Sequence, residues 1–351
     1  MKKILLIDDS ALTRRILCDI IEDDGRFSVA DQATNGLAAL DLMEKNKYDG
    51  IILDINMPKM NGLEFLAELK KRGRVERIIV VSTDTADGAT VTIQALELGA
   101  FDFIQKPKNT LDSRKKEFRD HFFAILEAAV RAPIKRPEKR VDSSTTEKKI
   151  LTAPRKSTGG NKLVAIACST GGPKALQSII PRLPDKIDAP ILIVQHMPVG
   201  FTKSLAERLD HLSSLSVKEA QEDDVLMKGH VYLARGGMHL KYEEQKGRGR
   251  LIYSDEPSRE GVKPSANYLY ESLELSSFDE IICVVLTGMG ADGTQGILNL
   301  AEYKKLHIIA QEENSCTVYG MPKSIVATGK VDQIVELDQI AQEILTNVGV
   351  R

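Results

Sequence analysis

A serine, a histidine and an aspartate, far apart in the chain, have the types needed for acyl transfer. Ser169 lies in Ile166-Ala167-Cys168-Ser169-Thr170-Gly171-Gly172-Pro173, and His196 sits near the end of the apolar run Pro190 to Pro198. Asp292 follows another apolar run, in Leu286-Thr287-Gly288-Met289-Gly290-Ala291-Asp292-Gly293. A hydroxyl becomes a useful nucleophile when a base takes its proton, and the base needs an anion to fix its tautomer. The Ser-Thr-Gly-Gly turn alone also reads as a helix cap or a phosphate cradle. It is not the G-x-S-x-G elbow of α/β-hydrolases, because Ala167 occupies the first glycine position.

The flanking elements bring the three together. Leu163 to Ala167 is strand-like, and Lys174 to Ile180 repeats apolar residues at helical spacing, with Pro173 suited to the first helical turn. Continuous apolar runs alternating with helices predict a mostly parallel sheet covered on both faces. Residues that follow such strands gather at their carboxyl edge. Helices are further expected near 201–211, 264–275, 292–302 and 338–347, strand and loop over 217–233, and a hairpin from 238–242 and 250–253. His121, His211, His230, His239 and His307 are read as structural.

A second constellation occupies residues 1–108. Strand patterns near 3–7, 27–32, 49–54, 77–82 and 101–105 alternate with helical ones near 11–23, 36–46, 62–71 and 88–98, with another near 111–131. A doubly wound five-stranded domain follows. Asp8 and Asp9, Asp54, Ser82 and Lys106 stand at successive strand ends. Carboxylates ~4 Å apart repel by about 4 kcal/mol per pair at an effective dielectric near 20. Such a cluster calls for a cation, and an all-oxygen set suits Mg²⁺. Lys106 adds a positive charge that could hold a phosphoryl group.

The chain's 351 residues suffice for two domains, and 42% apolar with 28% charged residues fits a globular protein. A formal charge of −2 gives no overall attraction to nucleic acid or anionic lipid. No apolar stretch is long enough to span a membrane. Cys18, Cys168, Cys283 and Cys316 lack paired metal-ligand spacing and read as reduced core thiols of a cytoplasmic protein. Residues 133–162 hold nine Lys or Arg against three Asp or Glu, with Pro133, Pro137 and Pro154, which reads as a solvated linker. The expected division is therefore 1–131, a linker over 132–162, and 163–351.

The first part resembles response-regulator receiver domains. The matching residues are Asp8-Asp9, Asp54-Ile55-Asn56-Met57-Pro58 with Gly62, Ser82-Thr83, and Gly99 to Pro107 around Phe103 and Lys106. The resemblance implies phosphorylation of Asp54 by a histidine kinase, Mg²⁺ held by Asp9, Asp54 and the carbonyl of Asn56 with Asp8 beside them, and Ser82 and Phe103 as switch residues. Phe103 stands where other members often carry Tyr.

The last part resembles the chemotaxis protein-glutamate methylesterase family, also glutamine deamidases. The matching motifs are Cys168 to Pro173, Gln195-His196-Met197-Pro198 with Gly200-Phe201, Ala234 to His239, and Leu286 to Gly293. Ala167-Cys168 replaces a common Gly-Ala, and Arg235 a common Pro. The resemblance implies Ser169 as nucleophile, His196 as base and Asp292 as orienter, with Thr170 and Met289 lining the site and no cofactor in it. It also implies chemoreceptor helices as substrate. The chain is expected to be a monomer, and a receiver tethered to a site that must accept a receptor helix is expected to block the cleft until Asp54 is phosphorylated. Two rivals are a docking module with an inactive hydrolase fold and a DNA-binding regulator. The second half lacks the basic helix-turn-helix that the latter needs.

Overall fold

The computed structural model describes residues 1–83, 85–107, 115–133, 159–245 and 247–350. The chain divides into two compact units, Met1–Asp142 and Ser143–Arg351. Most of the expected linker falls outside the described residues, but its last residue, Lys162, already belongs to a strand. Its ammonium meets the Glu280 carboxylate at 2.9 Å and donates to the Asn347 carbonyl, which explains how a lysine enters the sheet.

In the first unit the strands β1 (Lys2–Ile7), β2 (Phe27–Ala33), β3 (Gly50–Asp54), β4 (Ile78–Ser82) and β5 (Asp102–Gln105) form one sheet in the order β2-β1-β3-β4-β5. All its pairs are parallel. Helices α1 (Ala11–Asp23), α2 (Gly36–Lys45), α3 (Gly62–Lys71), α4 (Ala86–Glu97) and α5 (Lys116–Arg131) accompany it. Every residue of β3 and β4 is buried, the property behind their unbroken apolar pattern. The strand order reverses between β1 and β3, so Asp8, Asp9 and Asp54 end up beside one crevice. The part of the 111–131 helix expected before Lys115 lies outside the described residues.

The loop after β3 returns sharply against its own strand. Gly62 opens α3 so close to it that a Cβ would lie 2.5 Å from the Asp54 carbonyl oxygen and 2.8 Å from Ile55 Cα. Backbone atoms cannot swing aside as a side chain can. Gly62→Ala is therefore expected to destabilise this unit by about 1–3 kcal/mol, read as a lower denaturant midpoint. An unchanged midpoint would contradict this packing.

The second unit is built on seven strands: β6 (Lys162–Cys168), β7 (Ile191–Gln195), β8 (Ser216–Glu219), β9 (His230–Leu233), β12 (Glu280–Val285), β13 (Lys305–Gln311) and β14 (Gln333–Val335). Their order is β14-β13-β12-β6-β7-β9-β8, and every pair is parallel. β10 (His239–Gln245) and β11 (Arg248–Ser254) form the expected antiparallel hairpin as a separate sheet. The helices are α6 (Gly172–Ile179), α7 (Phe201–Leu212), α8 (Ala266–Ser272), α9 (Thr294–Leu300), α10 (Met321–Ala327) and α11 (Ile340–Val348). Leu163, Val194, Cys283, Val285 and Ala310 share one buried cluster, joined by Tyr270 from α8 and Ile297 from α9.

Two expectations need correction. Helix α9 starts at Thr294, so Asp292 precedes it as a loop residue, because its carboxylate is committed to a neighbouring helix. All four cysteines are free thiols, but Cys316 is only half-buried and is no core residue.

Candidate active site and acidic pocket

β6 lies between β7 and β12, where the chain's winding direction changes, and the three candidate residues follow these strands. In the β6–β7 register Cys168 is opposite Gln195, so Ser169 and His196 are the next residues on adjacent strands, about 4.8 Å apart in backbone spacing. The His196 N–H donates to the Cys168 carbonyl, and the Ser169 N–H to the carbonyl of Thr287 beyond β12. Gly288 approaches so closely that a Cβ there would be 2.7 Å from Ser169 Cβ. That places the backbone leading to Met289 beside the serine.

The His196 ring lies 2.7 Å from Asp292 through Nε2 and Oδ2. Its Nδ1 is buried and has no hydrogen-bond partner among the described residues. Nδ1 is thus the ring nitrogen left free by the bond to Asp292. Ser169 Oγ makes no hydrogen bond among the described residues. Such contacts often tighten only once substrate is bound, and a rotation about χ1 redirects the hydroxyl.

Asp292 is 2% exposed, a costly place for a charge without partners. It has four donors: His196 Nε2, Ser265 Oγ at 2.6 Å, the Ala266 N–H at 2.6 Å and the Asn267 N–H at 3.2 Å. Burial alone pushes its carboxyl up, but the bonds from His196, Ser265 and Ala266 hold it below the usual aspartate value. The support is reciprocal. Asp292 caps the start of α8, while Asn267 in α8 accepts the N–H groups of Gly293 and Gly296 at the start of α9.

Other residues hold the loops. Gln195, 2% exposed, donates through Nε2 to the carbonyls of Ser169 and His196, tying the two strand ends together. Thr287 Oγ1 lies 2.9 Å from the Thr170 carbonyl and accepts the N–H groups of Thr317 and Val318. Thr170 is buried and Met289 half-buried. Sequence reasoning missed Gln195, Ser265, Asn267 and the Thr317–Val318 segment; a polar residue closing an apolar strand was the available clue to Gln195. Arg235 is accommodated where Pro is usual by stacking on Tyr253, 4.7 Å from its ring centroid. Cys168 fits as a fully buried thiol pushed well above its ordinary pKa by burial.

In the other unit Asp8, Asp9 and Asp54 can each offer an oxygen within 4.8 Å of the others. Lys106 Nζ bridges Asp8 at 3.0 Å and Asp54 at 2.9 Å. One ammonium against three carboxylates leaves two negative charges, and with hard oxygen donors that fits a divalent ion such as Mg²⁺. Burial pushes the Asp54 carboxyl up, with Lys106 opposing. Asn56 is exposed on the loop beyond Asp54, and Phe103 is buried. Ser82 Oγ lies 2.7 Å from Thr92 Oγ1 and 3.2 Å from the Gly88 carbonyl, both in α4.

Known proteins resemble both units. A family described as CheB methylesterase matches residues 164–344, and one described as response regulator receiver domain matches 4–115. A protein-glutamate methylesterase/protein-glutamine glutaminase from Syntrophomonas wolfei is 39% identical over 349 residues, covering 98% of this chain and 99% of that one. The chain belongs to the CheB methylesterase family. A like-named CheB-family relative from Bacillus subtilis is 38% identical over 359 residues, covering 99% of each chain. The CheB methylesterase catalytic domain crystallised from Thermotoga maritima is 39% identical, with a TM-score of 0.52 over 54% of this chain and all of that one. Among the described residues, no helix of this CheB-family chain is long and apolar enough to cross a membrane.

Proposed function

We propose that the chain hydrolyses glutamyl methyl esters, and deamidates glutamines, on the cytoplasmic helices of chemoreceptors. The observation that carries this reading is the His196–Asp292 pair, which leaves Nδ1 unpartnered on a residue whose backbone adjoins that of Ser169 across the β6–β7 register. Nδ1 takes the Ser169 proton as Oγ attacks the γ-carbonyl. Asp292 steadies the imidazolium. Backbone N–H groups of the Gly-rich turn or at Met289 hold the developing oxyanion, each worth about 3 kcal/mol. The tetrahedral adduct collapses, and methanol leaves with the proton that His196 returns. Water, deprotonated by the same nitrogen, releases glutamate and restores the serine. An amide substrate follows the same course and releases ammonia. No cofactor enters these steps.

The receiver unit supplies control. Asp54 accepts a phosphoryl group from a histidine kinase; Asp8, Asp9, Asp54 and the Asn56 carbonyl would hold Mg²⁺, which would supply positive charge for the phosphoryl oxygens. Lys106 offers a further positive charge, and Ser82 with Phe103 responds to the added charge of about −1.5 to −2. Methanol release from a methylated chemoreceptor tests the whole. The full chain is expected to release methanol, faster with a small phosphodonor and Mg²⁺; removing Mg²⁺ with EDTA, or Asp54→Asn, should abolish labelling of Asp54 and the acceleration together. No release under any condition would instead favour a docking module.

A further inference from the structure

Ser265 directly precedes α8, and a serine there ordinarily accepts an N–H of its own helix. It makes no such cap bond. Its hydroxyl donates instead to Asp292 Oδ1 at 2.6 Å, and the carboxylate accepts the Ala266 and Asn267 N–H groups in its place. Ser265 is also fixed from behind. Its N–H donates to His239 Nδ1 at 3.1 Å, so the His239 ring proton is on Nε2, which donates to the Pro257 carbonyl at 3.2 Å. Ser265 and His239 are both 0% exposed, and the His239 ring packs on Tyr268 with centroids 4.5 Å apart.

We propose that Ser265 is a positioning residue for the hydrolysis: its hydroxyl, turned away from its own helix, holds the Asp292 carboxylate at the rotation in which Oδ2 faces His196. The inference rests on the Ser169–His196–Asp292 reading. Rotation of a carboxylate about χ2 is soft and roughly two-fold. Without Ser265 Oγ, Oδ1 keeps only the longer bond from Asn267, and the carboxylate is free to tilt away from His196. Full burial keeps Ser265 from touching substrate, so its effect belongs in kcat and not in KM.

The test measures methanol release by full-length Ser265→Ala and Ser265→Gly proteins, alone and with Asp292→Asn. Glycine is well tolerated at helix starts, which guards against a folding defect. A fall in kcat of about 10- to 100-fold, with KM within about twofold and the thermal midpoint retained, is expected in both. Once Asp292 is asparagine, Ser265→Ala should cause no further fall, because its effect runs through that carboxylate. Wild-type kcat in a folded Ser265 variant, a raised KM with unchanged kcat, or an equal loss in both backgrounds would overturn the assignment. Full activity of Ser169→Ala would sink the triad reading itself; an inactive Ser169→Ala beside a fully active Ser265→Ala would sink only the role of Ser265.

Discussion

Ser169→Ala is expected to lower methanol release from methylated receptor by about a millionfold, the scale seen when an activated nucleophile is deleted. The loss should be chemical and not structural. Every bond that fixes residue 169 uses its backbone: the N–H to Thr287, and the carbonyl accepting Gly172 and the Gln195 amide. Alanine keeps all of these. The neighbouring hydroxyl cannot stand in, because Thr170 is buried and its carbonyl is tied to Thr287. The variant should therefore fold, accept phosphate at Asp54 at the normal rate, and fail to react with a fluorophosphonate. Near-normal methanol release would remove Ser169 from the mechanism.

Much of this was readable from residue pattern. Strand runs with no polar interruption, such as Ile51 to Leu53 or Ile281 to Leu286, belong to strands buried on both faces, so their apolar character and their parallel pairing share one cause. Topology then carries Ser169, His196 and Asp292 to one edge. Ser265 was not legible, because a serine before a short helix looks like a cap whatever its hydroxyl meets. Its true acceptor lies 27 residues further on. β14 escaped for another reason: its three residues, Gln333 to Val335, include an exposed Ile334, carry no periodicity, and are held by pairing with β13 and by the Gln333 side chain's bonds to His307 and Glu343. Helix α9 begins later than the expected 292–302 because the Asp292 carboxylate is spent on α8.

Asp292→Asn should cut kcat by about ten-thousandfold while leaving the strands in place. The count of donors and acceptors gives the route. The carboxylate accepts four bonds, two on each oxygen: Ser265 and Asn267 on Oδ1, His196 and Ala266 on Oδ2. An amide has one oxygen. With that oxygen in the Oδ1 place, its NH₂ confronts the Ala266 N–H and forces His196 Nε2 to accept, which moves the ring proton to Nδ1. Nδ1, the nitrogen proposed to take the Ser169 proton, can then no longer act as a base. With the amide reversed, the NH₂ faces the Asn267 N–H and the Ser265 hydroxyl, leaving a buried donor unmet at about 1–3 kcal/mol. Stability should also change its response to acid. Held below its ordinary value, the Asp292 carboxyl contributes stability above the usual aspartate range, and that contribution is lost as pH falls through the depressed value. Asparagine does not titrate, so acid unfolding of the variant should be less steep as well as starting from a lower stability. A variant that kept wild-type kcat, or an unaltered acid-unfolding slope, would show that Asp292 is not the ionised partner of His196.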